Sequence, residues 1–192
     1  HNKIKVILIL HNSMKKSFLL FGVAAASSFF AISNAHAQDA INSVSIQQVA
    51  HSTVINKSCK QVWPLISDFG GISSWYRGFS ASSQIAGPTN QVGAVRKLIR
   101  SSNGNSFEEK MIFLDKPGYS LAYSHILNGP VRETINQVRL ADLNSKSQCL
   151  ATWGSTFRLK PEQMNDASKI RGFFVKAFTE VLEDLKVASE SP

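Results

Sequence analysis

A carboxylate among apolar side chains is the first feature of this sequence that could do chemistry. The hydropathy of residues 106–114 alternates as it does in a β-strand, and one face is the more apolar. That face carries Phe107, Glu109, Met111 and Phe113. We expect it to point inward, where an unpaired carboxylate is costly. Glu109 could therefore bind a ligand hydroxyl, or act as an acid or base with a raised pKa.

Arginines on the preceding strand offer a second interpretation of Glu109. Within residues 93–101, Arg96, Leu98 and Arg100 share one face. Either arginine could form a structural ion pair with Glu109, and such a pair is compatible with ligand contact. If 93–101 were instead an edge strand, its arginines would be solvated charges. The pattern of residues leaves these alternatives open.

Metal and nucleophile chemistry find little support in the sequence. His51 and His125 fall on predicted strands and have no Cys, Asp or Glu at metal-ligand spacing. No Ser, His and Asp are arranged as a nucleophile triad, and no glycine-rich phosphate loop is present. We therefore expect no metal site and no cofactor, and the sequence does not decide whether the protein is an enzyme.

The N-terminal 37 residues have the pattern of a secretory signal peptide. After the basic start at Met14, an apolar run extends from Phe18 to Ile32, and the small residues Ala35 and Ala37 stand at positions −3 and −1 of a cleavage site. A membrane anchor is the alternative, but the run is shorter than the roughly 20 residues that a span needs. We expect residues 1–13 to be upstream sequence, cleavage after Ala37, and a periplasmic or secreted domain over 38–192 without a membrane anchor.

Net charge argues against a nucleic-acid partner. The whole sequence has 21 basic and 13 acidic residues, which gives +8. Four of the basic residues are lysines of segment 1–37, which has no acidic residue, so the exported domain would carry only +4. The remaining basic residues form no run of the kind that follows phosphates. We expect a small hydrophobic molecule as partner.

The remaining sequence predicts an α+β domain. A strand over 43–55 is followed by a short helix, which Gly70-Gly71 interrupts, and by a second short helix over 72–76. Turn signals then separate six strands near 80–86, 93–101, 106–114, 119–127, 133–143 and 148–159. A long helix over 165–187 has an apolar face at spacings of three and four. A curved antiparallel sheet of seven strands round that helix would bury both apolar faces.

Several phrases of the sequence resemble a known family. The phrases are Val62-Trp63-Pro64-Leu65-Ile66-Ser67-Asp68-Phe69-Gly70-Gly71-Ile72-Ser73-Ser74-Trp75-Tyr76, Val92-Gly93-Ala94-Val95-Arg96 and Glu109-Lys110-Met111-Ile112-Phe113-Leu114-Asp115. Their order is similar to that in the polyketide cyclase/dehydrase branch of the SRPBCC (START-like, birch-pollen-allergen-like) superfamily. The resemblance implies a helix-grip fold, built round an apolar cavity between the sheet and the long helix.

The resemblance also implies a set of ligand-contacting residues. It places two aromatic residues, Trp75 and Tyr76, near the opening, and Glu109 and Arg100 at a polar end. The expected cavity walls are Phe107, Met111, Phe113, Trp153, Phe157, Phe174 and Phe178. Where plant hormone receptors of the superfamily have a latch histidine, this chain has Val131, so we do not expect a hormone-receptor mechanism.

A disulfide between Cys59 and Cys149 is a further implication of the resemblance. In the family's sheet, the first and last strands are antiparallel neighbours, which would bring these residues together. The bond would close a loop of about ninety residues and could contribute roughly 4 kcal/mol by the loop-entropy estimate. Two buried free thiols are the alternative.

Three functions are consistent with these sequence features and with the resemblance. The leading one is an exported protein that binds a small hydrophobic or amphipathic ligand in an internal cavity. The second is a cyclase or dehydratase of the polyketide type that uses Glu109 as general acid or base. The third is an accessory or interaction protein whose vestigial cavity is filled by side chains.

Overall fold

The computed structural model describes residues 46–191, so the predicted signal peptide and residues 43–45 of the first predicted strand lie outside the described residues. Seven strands form one sheet: β1 (Ile46–Ile55), β2 (Phe79–Ala86), β3 (Val95–Arg100), β4 (Ser106–Asp115), β5 (Ser120–Leu127), β6 (Arg132–Leu143) and β7 (Gln148–Arg158). Two α-helices complete the domain: α1 (Cys59–Ser67) and α2 (Ala167–Glu190). Short 3₁₀ turns cover Ile72–Ser74, Asn144–Lys146 and Pro161–Asp166.

The sheet is antiparallel throughout and runs in the order β1-β7-β6-β5-β4-β3-β2. Strands β2 to β7 follow one another as a meander, because short turns join neighbouring strands. Strand β1 then pairs with β7, from Ile46 opposite Arg158 to Ile55 opposite Cys149. The predicted helix-grip architecture is confirmed. Because β2 rather than β3 lies at the sheet edge, the interpretation of residues 93–101 as an edge strand is wrong.

Local sequence features set the bounds of α1 and the buried face of α2. The side chain of Gln61 accepts the backbone N–H of Ser58 at 3.2 Å, just before α1. Helix α1 ends before Gly70-Gly71, and the second predicted short helix is a single 3₁₀ turn, Ile72–Ser74. Helix α2 buries residues at spacings of three and four, which pack against the sheet: Phe174, Phe178, Val181, Leu182 and Leu185.

The sheet and α2 have two ends, which we call the mouth end and the closed end. The mouth end contains the β3–β4 and β5–β6 loops and the beginning of α2. The closed end contains α1, the β4–β5 and β6–β7 turns and the end of α2. Cys59 and Cys149 form a disulfide at the closed end, as predicted, and both residues are fully buried. None of the helices among residues 46–191 is long and apolar enough to cross a membrane.

A β-bulge changes which side chains of β4 face the helix. Met111 pairs with Tyr123, but Phe113 pairs with Ala122, so two residues of β4 advance against one of β5. Beyond the bulge, the alternation of inward- and outward-facing side chains is reversed. Phe113 is 48% exposed, and Leu114 packs against the core. The prediction that Phe113 faces inward with Phe107 and Met111 is therefore wrong.

Candidate ligand-binding site

A pocket of about 90 Å³ lies at the mouth end, between the concave face of the sheet and α2. Its walls are mainly aromatic, and seven of the residues predicted from the sequence line it: Tyr76, Arg100, Phe107, Glu109, Trp153, Phe174 and Phe178. We call this space the inner pocket. It is smaller than the roughly 300–1,000 Å³ of pockets that enclose drug-sized ligands. A compact group such as one ring fits this space, whereas a long acyl chain does not.

The other predicted site residues lie elsewhere. Trp75 donates its Nε1–H to the carbonyl of Leu65 at 3.0 Å and packs beside the core. Met111 is buried in the core beyond the pocket. Phe157 stacks on Phe174 with ring centroids 4.4 Å apart, so it supports a pocket wall from behind. Phe113 is on the outer face because of the bulge.

Glu109 is held in a buried ion pair with Arg96. The guanidinium of Arg96 approaches Oε2 of Glu109 through Nη2 at 2.6 Å and through Nε at 2.8 Å. Arg96 also donates from Nη1 to the carbonyl of Phe69 at 2.9 Å and lies against the Phe69 ring at 4.2 Å. These contacts anchor the loop after α1 to the sheet. Of the two arginines that could form a structural ion pair with Glu109, Arg96 is the one that does so.

His125 occupies the second oxygen of Glu109. Its Nε2 lies 3.2 Å from Oε1, and its Nδ1 lies 2.9 Å from the hydroxyl of Thr134. Spacing along the chain could not reveal this pair, because the two residues meet only when β4 and β5 pair, with Glu109 opposite His125. Both ring nitrogens are engaged, so His125 presents no free lone pair to the pocket.

The charge state of Glu109 follows from these contacts. Burial by itself raises the pKa of Glu109, but the charge of Arg96 and the hydrogen bonds from His125 and Arg96 outweigh it, so the pKa lies below the ordinary value. The expectation of a raised pKa is therefore wrong. Glu109 is a carboxylate at neutral pH with both oxygens occupied, which makes it a poor general acid and a weak base.

Tyr76 reaches into the pocket because Gly78 leaves space for it. A Cβ atom on Gly78 would lie only 2.3 Å from Cζ of Tyr76, so a larger residue would displace the ring. Burial, followed by the charges of Glu180 and Asp184, raises the pKa of Tyr76 to about 12. The hydroxyl therefore stays protonated at neutral pH.

Arg100 marks the opening of the pocket. Its guanidinium lies 4.5 Å from the ring centroid of Phe107 and 5.7 Å from that of Phe173. Burial lowers the pKa of Arg100, and the negative charge of Glu109 partly offsets this effect. Within residues 46–191, the guanidinium forms no ion pair and no hydrogen bond. A half-buried cation of this kind can receive an anion from the pocket side.

Arg100 also lines an open groove of about 590 Å³ outside the inner pocket. The groove shares Phe107, Pro130 and Phe173 with the inner pocket, and most of its polar lining comes from the β3–β4 loop, with Asn128 from the β5–β6 loop. Phe173 of α2 is 44% exposed and forms an apolar part of this groove. A ligand held in the inner pocket could therefore extend past Arg100 into this groove.

The sequence analysis missed two polar residues of the sheet that line the inner pocket; we call this part of its wall the floor. Tyr123 on β5 and Asn136 on β6 are direct neighbours in the sheet, and both are buried and line the inner pocket. Trp153 donates its Nε1–H to the hydroxyl of Tyr123 at 2.9 Å. Polar residues at alternate positions of β6, Thr134 and Asn136, were the signal that could have found Asn136.

No group of three or more His, Cys, Asp or Glu residues that could hold a metal ion occurs among residues 46–191. The buried charges of the inner pocket, Arg96 and Glu109, form an ion pair with each other. The inner pocket combines aromatic walls with the half-buried cation of Arg100 at its opening and the polar side chains of Tyr123 and Asn136.

A family model matches residues 47–190, nearly all of the described chain, and its description is polyketide cyclase / dehydrase and lipid transport. The chain belongs to this family. The membership confirms the SRPBCC resemblance of the sequence phrases. None of the curated proteins matches the chain.

Solved structures of the same fold come from bacteria and plants. XoxI from Bacillus cereus has a TM-score of 0.62 at 22% identity, over 73% of this chain and 94% of that one. The ZhuI aromatase/cyclase from Streptomyces sp. R1128 has a TM-score of 0.61 at 14% identity, over 76% and 94%. Norcoclaurine synthase from Thalictrum flavum, in complex with dopamine and hydroxybenzaldehyde, has a TM-score of 0.59 at 17% identity, over 79% and 94%. At these identities the likeness shows the fold alone.

Proposed function

We propose that this protein binds a small amphipathic molecule with an anionic end and does no chemistry on it. The observation that carries the proposal is the unpaired guanidinium of Arg100, held half-buried at the opening of an aromatic pocket. A carboxylate or similar anion would form charge-assisted hydrogen bonds to it. The apolar part of the molecule would lie against Phe107, Phe174 and Phe178.

The size of the space defines the class of ligand. The inner pocket of about 90 Å³ takes one compact group, and the groove of about 590 Å³ takes the rest of the molecule. This division favours an aromatic or short-chain acid over a fully enclosed long acyl chain. The small molecules bound in the norcoclaurine synthase structure, dopamine and hydroxybenzaldehyde, are of this compact kind.

The contacts of Glu109 argue against the enzyme hypothesis. A general acid or base must reach the proton that it transfers, but both oxygens of Glu109 are bound by Arg96 and His125. Its lowered pKa also removes the proton that a general acid would donate. The hypothesis of a filled, vestigial cavity is opposed by the open inner pocket itself.

Binding of 2-naphthoate and of its neutral analogue 2-naphthamide tests the proposal, with affinities measured by titration calorimetry. We expect Arg100→Met to weaken binding of the acid by about 10- to 100-fold, because a charged hydrogen bond is lost. Binding of the amide should change little. Lys97→Met is the matched control, since Lys97 lies on the same strand but is exposed. Equal loss for acid and amide, or no binding of either, would contradict the proposal.

Export is the cellular part of the proposal. The predicted signal peptide and the buried Cys59–Cys149 disulfide both fit an oxidising compartment outside the cytoplasm. Expression of the full chain in a bacterium, followed by mass spectrometry of the periplasmic fraction, would test it. We expect a product that begins at Gln38 and has no alkylatable thiol. A cytoplasmic product that retains residues 14–37 would exclude export by this route.

A further inference from the structure

Three polar side chains form a row across the concave face of the sheet. Tyr123 on β5 is paired with Asn136 on β6, and Asn136 is paired with Ser155 on β7. Directly paired residues of antiparallel strands have Cβ atoms only about 4.5–5.5 Å apart. All three residues are buried, and the row continues on β1 with an apolar residue, Val49. A polar row is unusual on a face that otherwise carries the core of the protein.

Within residues 46–191, part of the hydrogen-bonding capacity of this row is unused. Asn136 is 2% exposed, and its Nδ2 has no hydrogen-bond partner among residues 46–191. The hydroxyl of Ser155 is also without a partner in this part of the chain. The hydroxyl of Tyr123 accepts from Trp153, and its own proton is not engaged in any hydrogen bond of the described residues. Buried polar groups are normally paired, because an unpaired one is destabilising.

Thr134 shows that this strand can satisfy its buried polar groups. It lies two residues before Asn136 on the same face of β6 and is equally buried. Its hydroxyl accepts the backbone N–H of His125 and contacts the imidazole Nδ1, both at 2.9 Å. Thr134 therefore serves the fold, whereas Asn136 lines the inner pocket.

We propose that Asn136 and Tyr123 form a second polar subsite, which donates hydrogen bonds to a carbonyl or ether oxygen of the ligand. Both side chains line the same pocket, and each has a donor that no described residue engages: the amide N–H of Asn136 and the hydroxyl of Tyr123. Burial raises the pKa of Tyr123, so its hydroxyl remains a donor. The subsite rests on the proposed function, because it assumes that a ligand enters the pocket, and it adds a requirement to that ligand.

The ligand class that follows has two polar ends. An anion binds Arg100 at the opening, an aromatic or short apolar body fills the pocket, and an oxygen acceptor reaches the floor at Asn136. A keto acid with an aromatic body has this pattern. A purely hydrocarbon tail would leave the donors of Asn136 and Tyr123 unpaired, which lowers affinity.

Stability of the unliganded protein provides the first test. Asn136→Leu replaces the amide by an apolar group of similar size, so its urea unfolding midpoint should stay unchanged or rise. Thr134→Val removes a hydroxyl that the fold uses, and its midpoint should fall. If Asn136→Leu lowers the midpoint as much as Thr134→Val does, the amide serves the fold and the subsite proposal is overturned.

Ligand discrimination provides the second test, with matched ketone and alkyl probes of one and two rings. The probes are 4-acetylbenzoate against 4-isopropylbenzoate, and 6-acetyl-2-naphthoate against 6-isopropyl-2-naphthoate. We expect Asn136→Leu to lower the preference for the ketone of at least one pair by about tenfold, since one hydrogen bond is lost. Ser155→Ala should leave the preference unchanged, because Ser155 does not line the inner pocket.

The outcomes separate the two proposals. If the acids bind but Asn136→Leu leaves every ketone preference unchanged, the subsite is overturned and the role of Arg100 stands. If none of the four acids binds the wild-type protein, the proposed function fails and the subsite fails with it. A reduced ketone preference together with an undiminished unfolding midpoint supports the subsite.

Discussion

The mouth end and the closed end of the domain are stabilised in different ways. At the closed end, a disulfide joins β7 to α1, and its cysteines belong to the same core cluster as the fully buried Ile55, Leu182 and Leu185. At the mouth end, the interior contains an ion pair, a histidine and an unpaired amide. The disulfide and the apolar packing of the closed end stabilise the fold independently of charge. The mouth end instead buries polar groups beside the inner pocket.

This difference shows that the buried polar groups of the domain are concentrated round the candidate ligand-binding site. Buried charges and unpaired polar groups are destabilising unless they are compensated. Arg96, Glu109 and His125 compensate one another, whereas Nδ2 of Asn136 and the guanidinium of Arg100 have no such partner among residues 46–191. The closed end supplies covalent and apolar stability that tolerates this arrangement. Three predictions compare how substitutions at the mouth end, at the closed end and on the outer face change the stability of the fold.

The largest effect is expected for Glu109→Gln at the mouth end. The change leaves the charge of Arg96 buried without a counter-ion, and we expect the free energy of unfolding to fall by about 3–5 kcal/mol at pH 7. Glu108→Gln is the matched control, because Glu108 is the adjacent acid on β4 but faces the other side of the sheet. Urea unfolding measures both, and a loss below about 1 kcal/mol for Glu109→Gln would contradict the ion-pair interpretation.

The pH dependence sharpens the same prediction. Because the pKa of Glu109 is lower in the folded protein, its contribution is fully present above the ordinary value of 4.5 and is lost as pH falls through the folded pKa. The difference between wild type and Glu109→Gln should thus be constant from pH 8 to about 6 and should shrink below pH 4.5. A constant difference down to pH 3 would contradict the lowered pKa.

An intermediate effect is expected at the closed end. Replacing both Cys59 and Cys149 by Ser opens a loop that spans 90 positions, and we expect a loss of about 2–4 kcal/mol in the free energy of unfolding. Unlike the loss at Glu109, it should be the same at pH 7 and pH 4. The affinity for 2-naphthoate should not change. A weakened affinity would show that the two ends are coupled.

The smallest effect is expected for Phe113→Ser on the outer face. Because the bulge turns this side chain to solvent, the free energy of unfolding should change by no more than about 0.5 kcal/mol. Met111→Ala, before the bulge, should cost about 2–5 kcal/mol, because Met111 is buried. Comparable losses for the two variants in urea unfolding would place Phe113 in the core and contradict the bulge.

The sequence by itself determined the framework of this domain. Alternating strands, turn residues and one helix with a clear apolar face predicted the order of elements and the antiparallel sheet, because these patterns are local and repeat along the chain. The family phrases added the helix-grip topology and the pairing of Cys59 with Cys149. The resemblance also implied four aromatic residues that line the pocket, Phe107, Trp153, Phe174 and Phe178.

Only the tertiary structure decided the polar details of the site. Alternation could not foresee the bulge that turns Phe113 outward, because a bulge depends on how two strands pair. Spacing along the chain did not reveal that His125 meets Glu109, or that Tyr123, Asn136 and Ser155 form one row. The compensation of charges, and hence the direction of the Glu109 pKa, depends on neighbours that pairing brings together across the sheet.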